Sequence, residues 1–479
     1  MTEQASPTFA ATWSSLQAYR CPDWFRDAKF GIWAHWGPQA VPMVGDWYAR
    51  HMYVEGHPQH AHHVRTYGHP SRFGYKEIVQ MWKAERFDPE RLLDLYKRAG
   101  AQYFVACAVH HDNFDCWNSR HHSWNSVNVG PRKDIVGLWE QATRAAGLRF
   151  GVTEHLERSW SWFNTNKGAD AAGPWAGVPY DGNDPAYAGF YFPPHADTSP
   201  HYPDAPPAAW PRQWQARILD LIDRYDPDLL YTDGGVPFGQ VGLEMVAHFY
   251  NRNMARRNGR LEAVYTIKDP AMHTGNHGEY REGMALLDVE RGVVDGIRPL
   301  PWQTDTCVGG WYYDTRQVYK TPQEVVHILV DVVSKNGCLL LNFPPRPDGT
   351  IDEQEEWIAQ EIGRWLAVNG EAIYGTRPWR TFGEGPTRLA SGSFAEREKR
   401  QFTDADFRFT QRGDTVYALA LAWPAGREWV VSSLAGHPVQ RVTLLGHSGK
   451  LAWQQDAAGL RVNAPATSPC HHAYALKIE

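Results

Sequence analysis

Asp226-Pro227-Asp228-Leu229-Leu230-Tyr231-Thr232-Asp233-Gly234-Gly235 decides the fold. Ahead of it, Pro211–Tyr225 places Trp214, Ile218, Leu221 and Ile222 at helical spacing. Asp226-Pro227 breaks that helix, and an apolar run then ends abruptly on a carboxylate and two glycines. Helix, break, buried strand and polar strand end is the unit of an α/β protein. The same unit recurs on both sides. Strands are predicted at Lys29–Trp36, Tyr103–His111, Arg149–His155, Leu229–Gly234, Ala263–Ile267, Leu286–Glu290 and Cys338–Asn342, with an eighth near Trp302–Thr304. Between them, Asp88-Pro89 and Asp134 begin helices that stop at Gly100 and Gly147. Thr321-Pro322 with Glu324 opens another.

This alternation predicts parallel strands joined by right-handed crossovers, closing as a TIM-type (β/α)8-like barrel. The barrel's active face lies at the C-terminal ends of the strands. Those ends carry His35, His110, His111, His155, Asp233, Lys268, Glu290 and Asn342, so residues far apart in the chain are expected to share one pocket. Two long stretches, Val41–Tyr75 and Asn164–Trp210, interrupt the rhythm and are expected to wall it. Within the first, His57, His60, His62 and His63 are read as exposed loop histidines.

After Gly375 the pattern changes to short β-type runs without helices: Thr415–Trp423, Glu428–Ser433, Val439–Leu445, Lys450–Gln455, Leu460–Val462 and Ala473–Ile478. These predict a C-terminal antiparallel β-sandwich. The expected division is a catalytic domain over 1–368 and a sandwich over 369–479.

The chain has 479 residues and a net charge of −6, against the basic stripe of a nucleic-acid binder. No apolar run is long enough for a membrane span, so no membrane partner is expected. Met1–Ala11 lacks the n- and h-regions of a secretory leader. The chain as written is therefore expected in the cytoplasm, or in the periplasm or medium if a leader has been removed. The six cysteines are scattered without a CxxC pair, so neither disulfides nor a zinc site is expected. There are 22 tryptophans. Trp47, Trp117, Trp124, Trp160, Trp162, Trp302 and Trp311 lie in polar contexts, where they could stack on sugar rings or simply fill a large core. Nothing in the sequence specifies an oligomeric state.

Retaining glycosidases need two carboxyl groups about 5–5.5 Å apart. Asp233 is the candidate nucleophile, against the alternative of a carboxylate that caps a turn. Glu290 is the candidate general acid/base. Asp288 competes because residues two apart on a strand share a face, and Glu279 and Glu282 rank lower. Two other classes stay open: a metal-dependent barrel hydrolase using His35, His110, His111 and Asp233, and a non-catalytic sugar-binding protein.

Five stretches carry a resemblance. They are Phe30-Gly31-Ile32-Trp33-Ala34-His35-Trp36-Gly37, Asp46-Trp47-Tyr48, His110-His111-Asp112-Asn113-Phe114, the Asp233 strand, and Asn369-Gly370-Glu371-Ala372-Ile373-Tyr374-Gly375-Thr376-Arg377-Pro378-Trp379. The chain resembles the α-L-fucosidases of glycoside hydrolase family 29 from about Trp24 to Trp379 and in its sandwich tail. The resemblance implies a retaining exo-α-L-fucosidase that needs no metal or other cofactor and acts on a fucosylated oligosaccharide or glycoprotein glycan. It implies Asp233 as nucleophile, and His35, Asp46, Trp47, His110, His111 and His155 as groups that grip the fucose. Asp46 stands where the common form has Glu, one carbon longer. Glu290 as acid/base, with Trp311 in the binding site, follows from resemblance to one subgroup. That subgroup shares segments like Trp302-Gln303-Thr304-Asp305-Thr306 and Trp311-Tyr312-Tyr313, and it implies α-1,3/α-1,4-linked fucose on Lewis-type glycans. Core α-1,3-fucose of plant-type N-glycans is the alternative.

Overall fold

A computed structural model describes residues 8–272, 277–397 and 401–479. Met1–Pro7 of the N-terminal segment lie outside the described residues. Eight strands form a closed barrel in chain order: β1 (Phe30–Ala34), β2 (Tyr103–Val109), β3 (Arg149–Glu154), β4 (Leu229–Thr232), β5 (Val264–Lys268), β6 (Leu286–Asp288), β7 (Trp302–Cys307) and β8 (Gly337–Asn342). Neighbouring strands are parallel, and β1 pairs with β8 to complete the ring. All eight are buried almost throughout, which is why seven read as continuous apolar runs. Gly31 in β1 has a packing reason: a Cβ there would fall 2.3 Å from the Tyr103 ring.

Helices cover the outside. Those used below are α1 (Pro58–Thr66), α2 (Pro89–Arg98), α3 (Ile135–Ala145), α4 (Ala209–Tyr225), α5 (Pro322–Ser334) and α6 (Glu353–Asn369). Asp88 and Asp134 cap α2 and α3 by accepting from the backbone N–H of Arg91 and Gly137. Thr321 and Glu324 form a reciprocal capping box on α5.

α1 corrects the reading of the histidine-rich stretch as an exposed loop. His57 caps the helix, with Pro58 in its first turn. His63 is fully buried, bonding the Tyr48 hydroxyl (2.6 Å) and the Phe73 carbonyl (2.7 Å). His60 and His69 turn their Nε2 atoms to Asp170 at 3.3 and 3.2 Å, tying the two long insertions together.

After α6 the chain forms antiparallel sheets. The first holds five strands in the order β13-β16-β11-β10-β9: Val442–Leu444, Tyr474–Ile478, Thr415–Ala420, Phe407–Arg412 and Arg377–Glu384. The second holds three in the order β12-β15-β14: Glu428–Val431, Gly459–Asn463 and Trp453–Asp456. Trp379, Phe409, Trp429, Leu460 and Leu476 pack together as a separate core between them. Tyr417, Leu419 and Ala475, on the other face of the larger sheet, join the core of the barrel.

One buried ion pair fastens this contact. Arg408 of β10 donates through Nε to Asp331 of α5 (2.5 Å), which also pairs with Lys335 (2.8 Å). Burial would raise the Asp331 carboxyl, but Arg408 and Lys335 outweigh it and hold it below the usual carboxylate range. The pair therefore contributes fully at neutral pH. Its contribution fades as pH falls below the ordinary aspartate value near ~3.9 and is lost below the depressed folded value. Asp331→Ala is expected to destabilise the protein by about 3–5 kcal/mol, because it strands a buried guanidinium. Denaturant unfolding at pH 7 and pH 3 checks this: the difference from wild type should be large at the first and shrink at the second.

Candidate active site

Apolar strands deliver polar ends to one mouth of the barrel, where a pocket of about 210 Å³ opens. That is small beside the ~300–1,000 Å³ of ligand pockets in general and suits a single sugar ring. His35, Asp46, Trp47, His110, His111, His155, Asp233, Glu290 and Trp311 all line it, whereas Asn342, also expected there from its strand end, does not: its side chain is taken up by the His35 N–H and the Trp311 carbonyl.

Asp233 follows β4 and is the most heavily contacted group in the pocket. Its Oδ1 accepts from Lys268 Nζ (2.6 Å) and the Tyr231 hydroxyl (3.2 Å). Its Oδ2 faces His155 Nδ1 (3.2 Å), His111 Nε2 (3.5 Å) and an Arg158 guanidinium nitrogen (3.5 Å). Burial would push this carboxyl up, but Arg158 and Lys268, with the two histidines, hold it well below the usual carboxylate range. Asp233 is thus kept as an anion.

Lys268, at the end of β5, donates from the same amine to Asp233 and to Glu290. One nitrogen within hydrogen-bond length of both places the two carboxylate oxygens no more than two such lengths apart, ~5–6 Å. Glu290 stands just beyond β6.

The competitors go elsewhere. Asp288 is buried within β6, where it accepts from Gln303 (2.8 Å), and it is not part of the pocket wall. Burial, then the neighbouring Asp305, pushes its carboxyl well up. Glu279 and Glu282 are more than half exposed and pair with Arg281 and Arg298. The glycines after Asp233 open no path to a ligand at Gly235: a Cβ there would meet the Glu279 backbone at 2.8 Å.

The histidines are held neutral and aimed inward. Burial and neighbouring imidazoles push His35 and His110 well below the usual histidine value. His110 Nδ1 is bonded by the Gln39 amide (2.8 Å) and His111 Nδ1 by the His155 carbonyl (2.7 Å). The His35 backbone N–H is held by Asn342 Oδ1 (2.8 Å), while both ring nitrogens of His35 are buried with no hydrogen-bond partner among the described residues. Buried imidazoles of this kind at a pocket wall suit sugar hydroxyls. Asp112, in the same motif, is structural, accepting from the Tyr75 hydroxyl (2.5 Å) and the Phe114 N–H (3.3 Å). Asp46 accepts from the Trp47 N–H (2.7 Å), and burial raises its carboxyl to about 7.

Trp33, Arg158, His201, Tyr231, Asp305 and Phe394 were not singled out in the sequence, and all line the pocket; Lys268 was placed there by its strand end but given no role. Asp305 lies in β7, the strand least visible in the sequence. Of the seven tryptophans in polar contexts, only Trp47 and Trp311 reach the pocket. Trp117, Trp162 and Trp302 are fully buried and fill the core.

A parallel barrel with two carboxylates within two hydrogen-bond lengths of each other at its mouth fits a glycoside hydrolase of the retaining type. The comparisons narrow the class. The family profile described as "Alpha-L-fucosidase" matches residues 1–371, and that described as "Alpha-L-fucosidase C-terminal domain" matches 400–479. The chain belongs to the α-L-fucosidase family. It is similar to the tissue alpha-L-fucosidase of Homo sapiens, 28% identical over 98% of this chain and 91% of that protein. It is also similar to the Thermotoga maritima alpha-fucosidase solved in complex with a mechanism based inhibitor, with 25% identity, a TM-score of 0.75, and coverage of 98% of this chain and 99% of that one. The same Thermotoga enzyme has been solved in complex with fucose; that chain is 24% identical with a TM-score of 0.75, and the match covers 98% of this chain and all of that one.

Proposed function

We propose that this α-L-fucosidase removes terminal α-1,3- or α-1,4-linked L-fucose from branched, Lewis-type glycans, with Asp233 as nucleophile and Glu290 as acid/base. The observation that supports the pair is the Lys268 bridge between the two carboxylates, and what favours Asp233 as the anion is the further set of Arg158, His111 and His155 around it. Asp233 attacks the anomeric carbon as the glycosidic C–O bond breaks, and the departing oxygen takes the Glu290 proton. The fucosyl ester on Asp233 then yields to a water that Glu290 deprotonates, so α-fucose leaves with its configuration retained. His35, His110, His111 and His155 hold the sugar hydroxyls, Asp46 accepts from one of them, and Trp47 and Trp311 cover its C–H faces. The linkage reading rests on His155 after β3 together with the Trp302–Thr306 and Trp311–Tyr313 segments.

The test is a panel of α-1,2-, α-1,3-, α-1,4- and α-1,6-linked fucosides with a core α-1,3-fucosylated N-glycan. The expected result is release from the Lewis-type trisaccharides alone. Turnover of the core glycan or the α-1,2 sugar in preference to them overturns the linkage reading.

Lys268 holds Asp233 ionised, and losing a charge-assisted hydrogen bond removes about 1.5–3 kcal/mol from the anion. Lys268→Met is therefore expected to move the acid limb of kcat/KM to higher pH by about 1–2 units, since Asp233 then protonates more readily. An acid limb that stays in place would show that Arg158 and the histidines suffice.

A further inference from the structure

The barrel mouth is completed by a segment from beyond the barrel. After β9 the chain at Leu389–Glu396 crosses to the loop that follows β6 and runs alongside it. The Gly392 N–H donates to the Val293 carbonyl (2.8 Å), Phe394 N–H to the Glu290 carbonyl (2.8 Å) and Glu396 N–H to the Arg291 carbonyl (3.1 Å). Val293 and Gly392 form an antiparallel bridge. The two backbones touch: a Cβ on Gly292 would fall 2.0 Å from the Gly392 carbonyl oxygen. Both Arg291 (φ 47°) and Phe394 (φ 60°) adopt the left-handed conformation that non-glycine residues rarely take. Such conformations persist only where the surroundings impose them, and they gather at functional sites.

The side chains lock the same contact. Glu396 accepts from Arg291 Nε (2.5 Å), Thr306 Oγ1 (2.7 Å) and Lys320 Nζ (3.1 Å), all barrel residues. These three cations and donors hold its carboxyl below the ordinary range in spite of burial. Attachment of the sheets to the barrel does not need this strap, since Arg408–Asp331 and the shared core provide it elsewhere. What the strap adds is Phe394, among the described residues the one that lines the pocket from beyond Trp311.

We infer that Phe394 forms a wall of the leaving-group subsite and that Glu396 is a positioning residue for Glu290, acting through Arg291. This inference rests on the reading of Glu290 as acid. An acid hands its proton to the glycosidic oxygen, so the pocket wall next to Glu290 is the aglycone side; Phe394 lines the pocket and its backbone is tied to the backbone carbonyl of Glu290, which puts it in that part of the wall. The ligand chemistry is a pyranose whose C–H face lies against an aromatic ring. Selectivity for the sugar next to fucose is thus set partly by a segment from beyond the barrel.

The experiment compares kcat/KM of the full-length enzyme on the fucosylated trisaccharide that wild type cleaves best with that on α-L-fucosyl fluoride, whose leaving group has no ring and needs no proton. With Phe394→Ala, the loss on the trisaccharide should exceed the loss on the fluoride by about tenfold, mostly in KM. Phe394→Tyr should restore the ratio. Because both substrates are measured on one sample, partial misfolding cancels from the ratio. Equal losses, or no loss, overturn the Phe394 inference. With Glu396→Gln, the loop that carries Glu290 loses its side-chain tie, and kcat should fall more on the trisaccharide, which needs the acid, than on the fluoride, which does not. Equal changes in kcat on the two substrates overturn the positioning role. Azide rescue of Glu290→Ala, described below, decides the acid itself, so a failure there is told apart from a failure of the strap.

Discussion

Asp233→Ala is expected to lose roughly 10⁴-fold or more in kcat on every fucoside, the scale on which removing a covalent nucleophile is felt. The structure gives the reason in charge. Asp233 is surrounded by Lys268, Arg158, His111 and His155, and among the described residues no other carboxylate meets that set of donors. A carboxylate shortened to a methyl leaves room for a small anion in the same positive surroundings. Azide should therefore restore turnover, attacking from the face that Asp233 occupied while the aglycone departs with the Glu290 proton. A single displacement inverts the centre, so the product is β-L-fucosyl azide, read by NMR. An α-azide, or no rescue in a variant that unfolds at the wild-type denaturant concentration, would place the nucleophile elsewhere.

Glu290→Ala is expected to lose about 10²–10⁴-fold on oligosaccharides and much less on an aryl fucoside, whose phenolate departs with little protonation. Azide should again accelerate the aryl substrate, now with the opposite stereochemistry. Asp233 still forms the ester, azide needs no base to cleave it, and two inversions give α-L-fucosyl azide. The basic limb of the pH profile should vanish with the acid. Asp305 is the residue to examine if Glu290→Ala instead behaves like wild type. It lines the pocket, receives the Tyr231 hydroxyl (3.1 Å), and burial raises its carboxyl to about 7.

The barrel was legible in the sequence because its strands are buried on both faces and so read as unbroken apolar runs. β7 was the faint one. Trp-Gln-Thr-Asp-Thr-Cys is polar because Gln303 and Thr304 bond inside the barrel, to Asp288 and to the Val289 carbonyl (2.8 and 2.7 Å). Asp305 was missed with its strand. β9 and β10 were passed over in the sheets for a related reason. Arg408, the charge that makes β10 look exposed, is 3% exposed and neutralised by a partner 77 residues earlier in the chain. The site residues at strand ends could be chosen because the fold aims such ends at one place. Arg158, in a turn after β3, had no such address. Phe394 had no signal at all: it sits in Ser391-Gly392-Ser393-Phe394, far beyond the barrel, and its place depends on a loop it meets only in the folded chain.

The order of strands in the larger sheet has a consequence for biosynthesis. β16 (Tyr474–Ile478) is threaded between β13 and β11 rather than added at an edge. Until β16 is made, β13 has no partner in that sheet, although β10 can already meet α5 through Arg408 and Asp331. The strap that reaches Glu290 hangs from the same sheet. Pairings so distant in sequence form late, because a long loop must close before any contact rewards it. A growing chain can then close its eight-stranded ring early and still hold an unfinished pocket until the strap docks on the loop after β6.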